Sequence, residues 1–286
     1  MKDLVVVGKG PAGISAAIYA KRAGLDVVVI GKGFGALGKT DKINNFYGHE
    51  SVMTGMELVE QGIKQAENLG VEVITDEVIG LTWDGNYTVK GTTGEYQGKT
   101  VVLATGSSRV TPNIKGVKEF EGRGVSYCAV CDAFFYRGKD VAILGNGKYA
   151  VAEAEELVHV VNSVTILTDG KDMTCDVPEN IKVNNSKIIE FAGDEKIAKA
   201  IFEDNSELKV DGLFIAVGVA GSTDFALTIG AMVDRNKIVV DEDMKTNIPG
   251  LFAAGDCVGG IYQVYKAVSD GSIAGTRVAA FVRGLN

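Results

Sequence analysis

One pattern occurs twice in this chain and constrains its fold more than any other. A short apolar run leads into a glycine turn, a stretch of helical composition follows, and a second apolar run closes the unit. The first copy is the run 4–7, the turn Gly8-Lys9-Gly10-Pro11-Ala12-Gly13, a helical stretch over 13–23 ending at Gly24, and the run 27–30. The second is the run 141–144, the turn Gly145-Asn146-Gly147-Lys148-Tyr149-Ala150, a helical stretch over 148–161 and the run 164–167. Unbroken apolar runs suit strands of a parallel sheet covered on both faces. Strand and helix in alternation predict α/β architecture. In the first turn one glycine permits the tight bend, one lets the backbone approach a pyrophosphate, and one allows close helix–strand packing. The partial positive charge of the helix N-terminus then faces the phosphates. Gly8, Gly10, Pro11, Ala12 and Gly13 are therefore candidates to hold a dinucleotide.

The rest of the chain organises around these two units. A helix is expected over 56–69, ending at Gly70, and Asp84-Gly85-Asn86 signals a hairpin. The strand 100–104 ends in Thr105-Gly106. Polar connectors at 107–115 and 241–250 carry Pro112 and Pro249. They are expected to be hinges. The last segment, a strand over 251–254, Gly255-Asp256 and a helix over 262–282, has no glycine fingerprint of its own. It reads as the end of the first domain. The expected fold is thus α/β, with two Rossmann-like three-layer nucleotide-binding domains and the second inserted into the first. The domains are 1–112 with 245–286, and 113–244. A length of 286 residues, 46% of them hydrophobic, suffices for two cores.

Charge and hydropathy exclude several classes. A net charge of −8 argues against nucleic acid as a partner. No apolar stretch reaches the length of a membrane span. Met1-Lys2-Asp3 runs straight into a strand, so no signal peptide is expected and the expected compartment is the cytoplasm.

The four cysteines are Cys128, Cys131, Cys175 and Cys257. Cys128-x-x-Cys131 suits a redox pair, because a short loop near a helix start lowers a thiol pKa and brings both sulfurs within bonding reach. Asp132 follows directly and can exchange the proton that accompanies thiolate chemistry. A zinc site would need about four ligands. No second pair exists, and His49 and His159 are far apart in sequence, so no metal is expected. Cys175 and Cys257 read as small buried residues. After the run 27–30 the acid that would hold an NAD ribose is missing, since Gly31-Lys32-Gly33 follows. A backbone-lined ribose site would still accommodate FAD. Asp256 could accept a hydrogen bond from a ribityl hydroxyl, or merely cap a turn.

Together these landmarks resemble the low-molecular-weight thioredoxin reductases over nearly the whole chain. They are the first fingerprint, Asn45-Phe46-Tyr47-Gly48, Ala104-Thr105-Gly106, Cys128-Ala129-Val130-Cys131-Asp132, the second fingerprint, and Phe252-Ala253-Ala254-Gly255-Asp256 with Gln263. The resemblance implies FAD in the first domain, contacted by Asn45, Asp256 and Gln263. It implies Cys131 beside the flavin, Cys128 attacking a thioredoxin disulfide, and Asp132 as the acid. It also implies a homodimer. The second domain departs from the family pattern. Thr168-Asp169-Gly170-Lys171-Asp172 stands where NADPH-using members carry arginines for the 2′-phosphate, and two carboxylates there repel that group. This departure is similar to the ferredoxin-dependent flavin branch, with reduced ferredoxin as the expected donor. Asp169 lies 19 residues beyond Ala150, near the spacing of about 20 in NAD sites. An NADH- or NADPH-dependent enzyme is therefore the alternative, and a flavin-dependent dithiol oxidase or a flavin redox sensor are further ones. Arg123, Arg137, Lys139 and Lys148 are candidates for docking an acidic donor.

Overall fold

A computed structural model describes residues 1–106, 112–127, 129–218 and 221–284, and the side chains of Val130 and Cys131 lie outside that description. The chain begins with β1 (Lys2–Val7), α1 (Pro11–Arg22), β2 (Val27–Ile30), α2 (Gly55–Asn68), β3 (Glu72–Ile74), β4 (Val78–Trp83), β5 (Tyr87–Gly91) and β6 (Glu95–Leu103). There follow β7 (Val125–Ser126), α3 (Ala129–Asp132), β8 (Asp140–Leu144), α4 (Lys148–Val158), β9 (Ser163–Leu167), β10 (Lys182–Asn184), β11 (Ile188–Gly193), β12 (Ile197–Phe202), β13 (Glu207–Lys209) and β14 (Gly212–Ile215). The chain closes with α5 (Ser222–Thr228), β15 (Val233–Asp234), β16 (Lys237–Ile238), β17 (Leu251–Ala253) and α6 (Val264–Val282).

Two compact units result: Met1–Ser108 with Gly221–Asn286, and Arg109–Ala220. Both are Rossmann-like α/β units, and the second is inserted into the first. In the first, parallel β3, β2, β1 and β6 form the sheet. The long strand β6 serves two layers. Its start, Glu95 to Gly98, pairs antiparallel with β5, and its end, Val101 to Leu103, pairs parallel with β17. One strand thus carries both the β4–β5 hairpin and the returning end of the chain. Helices α1 and α6 share one apolar core through Ala16, Ala20, Ala274 and Val278. Ser15 Oγ donates to the Val268 carbonyl at 2.7 Å and pins them together. Helix α1 starts at Pro11, earlier than the composition suggested, because proline at the first helical position needs no N–H partner and has its φ preset.

Residues 221–244, expected in the inserted domain, pack in the first unit. Thr228 Oγ1 donates to the Leu81 carbonyl at 3.4 Å, and Met232 N–H donates to Asn247 Oδ1 at 2.7 Å. The connector 241–250 is part of this packing rather than a crossing between units. Tyr87 Oη donates to the Pro249 carbonyl at 2.6 Å, and Val101 N–H donates to the Gly250 carbonyl at 3.0 Å. The first unit's two segments run to Ser108 and from Gly221, so Thr105 and Ser222 lie just inside its points of exit and return. These two points are joined: Thr105 Oγ1 and Ser222 Oγ lie 2.8 Å apart, and Ser222 N–H donates to Thr105 Oγ1 at 2.7 Å.

The second unit has a parallel sheet in the order β10-β9-β8-β14-β7 and an antiparallel sheet β11-β12-β13. The small sheet was not legible in sequence. A register shift between Ile188 and Glu190 breaks the alternation that identifies a strand. Among the described residues no helix is long and apolar enough to cross a membrane.

Candidate active site

The first unit gathers most of the predicted cofactor residues at the C-terminal ends of β1, β6 and β17. That is where a doubly wound sheet binds its ligand. A Cβ on Gly8, whose φ is +115°, would lie 2.2 Å from the Ala104 carbonyl oxygen. A Cβ on Gly13 would lie 1.9 Å from the Gly8 carbonyl oxygen. Only glycine lets these strands and α1 close up. Gly10 has the opposite surroundings, with nothing within 4 Å of a Cβ there, so the turn is open where a pyrophosphate would approach. No side chain caps the N-terminus of α1. Gly255, after β17, comes against Ala12. Asn45 Nδ2 donates to Gln263 Oε1 at 3.2 Å, which brings together two residues distant in sequence. The tight turn, the open approach and the uncapped helix end fit a dinucleotide such as FAD.

One residue of this unit escaped the sequence. Lys9 is buried and its Nζ donates to Thr75 Oγ1 at 2.9 Å. Burial lowers its pKa. Its stem crosses Gly31, where a Cβ would lie 2.9 Å from Cγ of Lys9, and this occupies the end of β2 where an NAD-type acid was missing. Asp256 is partly buried, and burial pushes its carboxyl up against the opposing pull of Lys266 and Lys237. Cys257 is buried at 2% exposure, and burial pushes its thiol up to about 11. Cys175, expected to be buried like Cys257, is only half-buried, in a segment without helix or strand.

In the second unit Cys128 lies outside the described residues, as does the side chain of Cys131. Their surroundings are described. Helix α3 starts at Ala129, whose N–H donates to Glu153 Oε2 on α4 at 2.7 Å. Glu153 thus grips the peptide that follows Cys128. Asp132 ends α3 and accepts a hydrogen bond at 2.6 Å from Ser126 Oγ, on β7. Tyr136 fixes the turn beyond, with its ring edge-on to Phe214 at 5.2 Å. Burial, and then the charge of Asp132, raise the Tyr136 pKa. Phe134 and Phe135 are 73% and 68% exposed, an apolar pair presented to solvent just past the dithiol. Arg123, Arg137, Lys139 and Lys148 are all exposed. Lys139 Nζ donates to the Phe135 carbonyl at 2.8 Å and lies 5.4 Å from the centre of the Tyr136 ring.

The second glycine turn differs from the first. Asn146 Nδ2 donates to the Asp172 carbonyl at 3.0 Å. Thr174 N–H and Oγ1 donate to the Asn146 carbonyl at 2.9 and 3.0 Å. Residues 172–174 are thus fastened across the turn. Asp169 accepts from Lys187 Nζ at 2.9 Å and from Ile188 N–H at 3.1 Å. Its carboxylate serves the start of β11. Among the described residues no cluster of three or more His, Cys, Asp or Glu could hold a metal.

A Rossmann-like cofactor unit carrying an inserted unit that bears the Cys-x-x-Cys sequence defines a flavin-linked disulfide oxidoreductase. Residues 2–271 match the family model described as pyridine nucleotide-disulphide oxidoreductase, and the chain belongs to that family, whose members are FAD-binding flavoproteins. It is a homologue of the low-molecular-weight thioredoxin reductases. A thioredoxin reductase from Aquifex aeolicus is 36% identical over 99% of this chain and 94% of its own length. The crystal structure of an atypical thioredoxin reductase from Desulfovibrio vulgaris Hildenborough is 39% identical, covers 99% of both chains and superposes with a TM-score of 0.93. A ferredoxin-flavin thioredoxin reductase from Clostridium acetobutylicum is 31% identical, covers 99% of this chain and 98% of its own, and superposes with a TM-score of 0.72.

Proposed function

We propose that this protein reduces the disulfide of a thioredoxin, with reduced ferredoxin as its electron donor. In this reading the first unit holds FAD through Gly8, Gly10, Pro11, Ala12, Gly13, Asn45, Ala104, Thr105, Gly106, Gly255, Asp256 and Gln263. The second unit carries the dithiol. FAD bound in the first unit would supply the electron pair that reduces the Cys128–Cys131 disulfide. The dithiol then does the protein's own chemistry. The Cys128 thiolate attacks the thioredoxin disulfide, forming one S–S bond and releasing one thioredoxin sulfur. Cys131 attacks the mixed disulfide, frees thioredoxin as a dithiol, and restores Cys128–Cys131. Asp132, oriented by the Ser126 hydroxyl, delivers the proton that the leaving sulfur requires. The exposed Phe134–Phe135 pair supports a protein substrate, since large exposed apolar groups beside a reactive centre favour docking.

The observation that carries the donor assignment is the fastened second glycine turn. A dinucleotide there would have to displace residues 172–174 from Asn146, and would meet Asp169 already bound to Lys187. A 2′-phosphate would face carboxylates where it needs guanidinium groups. The NADH alternative rests on Asp169 being free to bind a ribose, and its hydrogen bonds weigh against that. The energetics agree. A plant-type ferredoxin near roughly −400 mV and a thioredoxin near about −270 mV leave about 6 kcal/mol for two electrons. On family likeness we extend the reading to a cytoplasmic homodimer, which sedimentation and cell fractionation test.

Anaerobic mixing of the purified protein with reduced ferredoxin, NADH and NADPH in turn tests the donor. Ferredoxin should bleach the flavin and sustain thioredoxin reduction. Its rate should fall as salt rises, because exposed charges are screened beyond about 8–10 Å at physiological ionic strength. Rapid, saturable bleaching by NADH or NADPH at micromolar levels would refute the assignment.

A further inference from the structure

Helix α6 begins with an electrostatic oddity. Lys266 stands in its first turn, where the partial positive charge of the helix end disfavours a cation, and no acidic residue shares that turn. Its acidic partner Asp270 lies four residues on, with Nζ and Oδ2 2.6 Å apart. Lysine N-terminal to the acid is the weaker order for such a pair. The pair is also largely withdrawn from water, with side-chain exposures of 20% and 9%. An ion pair so placed gains little stability over apolar residues of similar volume. Helix stability does not explain these residues, and what they touch does.

Both touch one residue. Asp270 Oδ2 accepts from the Gly255 N–H at 3.0 Å. Lys266 Nζ donates to the Gly255 carbonyl at 3.1 Å and to the Gly259 carbonyl at 2.5 Å. A second cation completes the arrangement. Lys237 Nζ donates to the Asp256 carbonyl at 3.0 Å and lies 4.7 Å from the centre of the Tyr262 ring. The polar backbone groups of the turn are thus taken by charged side chains, while Gly255 sits in the left-handed region at φ +85°. A turn gripped in this way keeps the Asp256 side chain in one direction.

We infer that Lys266 and Asp270, assisted by Lys237, are positioning residues that clamp the Gly255–Asp256 turn in the shape that binds FAD. The inference rests on the assignment of that turn to the FAD site. The clamp prepares the backbone before the cofactor arrives, so its loss lowers affinity by forcing FAD to order the turn itself. It acts as the outer partners of metal ligands do, where removal of one costs about 10–100-fold in metal affinity.

The test compares FAD affinity with fold stability, both measured on apoprotein reconstituted with FAD. Lys266→Met and Asp270→Ala should each weaken FAD binding by about tenfold or more, and should shrink the rise in melting temperature that FAD confers. Lys266→Arg, which can still reach the carbonyls, should keep most of the affinity. The decisive variant is Lys266→Met with Asp270→Leu. It leaves no lone buried charge, so the apoprotein should melt near the parent temperature while FAD affinity stays low. Lys237→Met, at a partly exposed position, gives a milder variant that keeps the test open if the others fail to fold. It should weaken FAD binding in the same direction. Parent-like FAD affinity in the double variant would overturn the clamp. Asp256→Ala separates the two layers of the argument. If it binds FAD as tightly as the parent, the turn is no cofactor site and the inference falls with it. If it binds weakly while Lys266→Met and Lys237→Met bind normally, the clamp alone falls.

Discussion

Asp132 and Ser126 make a prediction with a built-in control. Ser126 Oγ lies 2.6 Å from Asp132 Oδ2, and Ser126 is itself buried on β7. Asp132→Asn removes the transferable proton while keeping shape and the serine contact. Loss of a positioned general acid costs about 10²–10⁴-fold. Ser126→Ala leaves the acid and removes one hydrogen bond to it, of about 0.5–1.5 kcal/mol. At about 1.4 kcal/mol per tenfold, the ceiling is a loss of roughly tenfold, and water entering the vacated space should lower it further. The assay is a single anaerobic turnover of prereduced protein with oxidised thioredoxin, following the released dithiol. If Ser126 acts only through Asp132, Ser126→Ala should cost nothing more on the Asp132→Asn background, since coupled residues are not additive. Undiminished exchange by Asp132→Asn would reduce the aspartate to a structural role. A full, additive loss in the double variant would show that the serine acts on something else.

Three further outcomes rest on the same structure. Asp76 is buried and accepts from Thr92, Thr93 and Tyr96. Burial alone would push its carboxyl up, but these donors outweigh burial and hold it at about 2. A depressed carboxylate pKa adds stability that is present above the unfolded value near 3.8 and lost as pH falls through about 2. That term is about 2 kcal/mol. Denaturant melts between pH 5 and 2 should show it, and Asp76→Asn should flatten this limb. Gly13→Ala should give a colourless protein that takes up no FAD, because its Cβ would lie 1.9 Å from the Gly8 carbonyl oxygen; a yellow preparation would contradict the close approach. Iodoacetamide under native conditions should spare Cys257, whose buried thiol is pushed up to about 11, and mass spectrometry of labelled peptides reads this directly.

Where the pattern is local, the sequence is legible. Apolar runs specify β1, β2 and β8, because a strand buried on both faces needs apolar side chains along its buried length. The first glycine turn was readable because its glycines recur at fixed spacing between strand and helix, although Gly8 is needed for a contact as distant as Ala104. The boundary near residue 221 was not. Nothing local distinguishes α5 from the inserted unit; it belongs to the first unit because Ser222 meets Thr105 and Thr228 meets Leu81, more than a hundred positions away. Lys9 escaped for a related reason. As the variable position of a fingerprint it carries no signal, and only the fold brings its ammonium to Thr75.

The two glycine turns differ in what surrounds them. By sequence they are near-duplicates, each a Gly-x-Gly after an apolar strand and before a helix, so the motif alone assigns both the same ligand. Their difference lies in what the chain later brings to them. Beside Gly10 a Cβ would find nothing within 4 Å. Beside Gly147 it would find Thr174 Oγ1 at 3.4 Å, a group already hydrogen-bonded to Asn146. Thr174 stands 28 residues beyond Asn146, in a stretch without helix or strand, and no short-range rule singles it out. A nucleotide-binding turn therefore consists of its glycines together with the space left beside them. If that space decides the donor, the closure is physical and can be relieved. Thr174→Gly with Asn146→Ala should loosen residues 172–174 and raise any residual NADH reactivity. The same change should leave NADPH rejected, because the carboxylates of Asp169 and Asp172 remain where a 2′-phosphate would need cations.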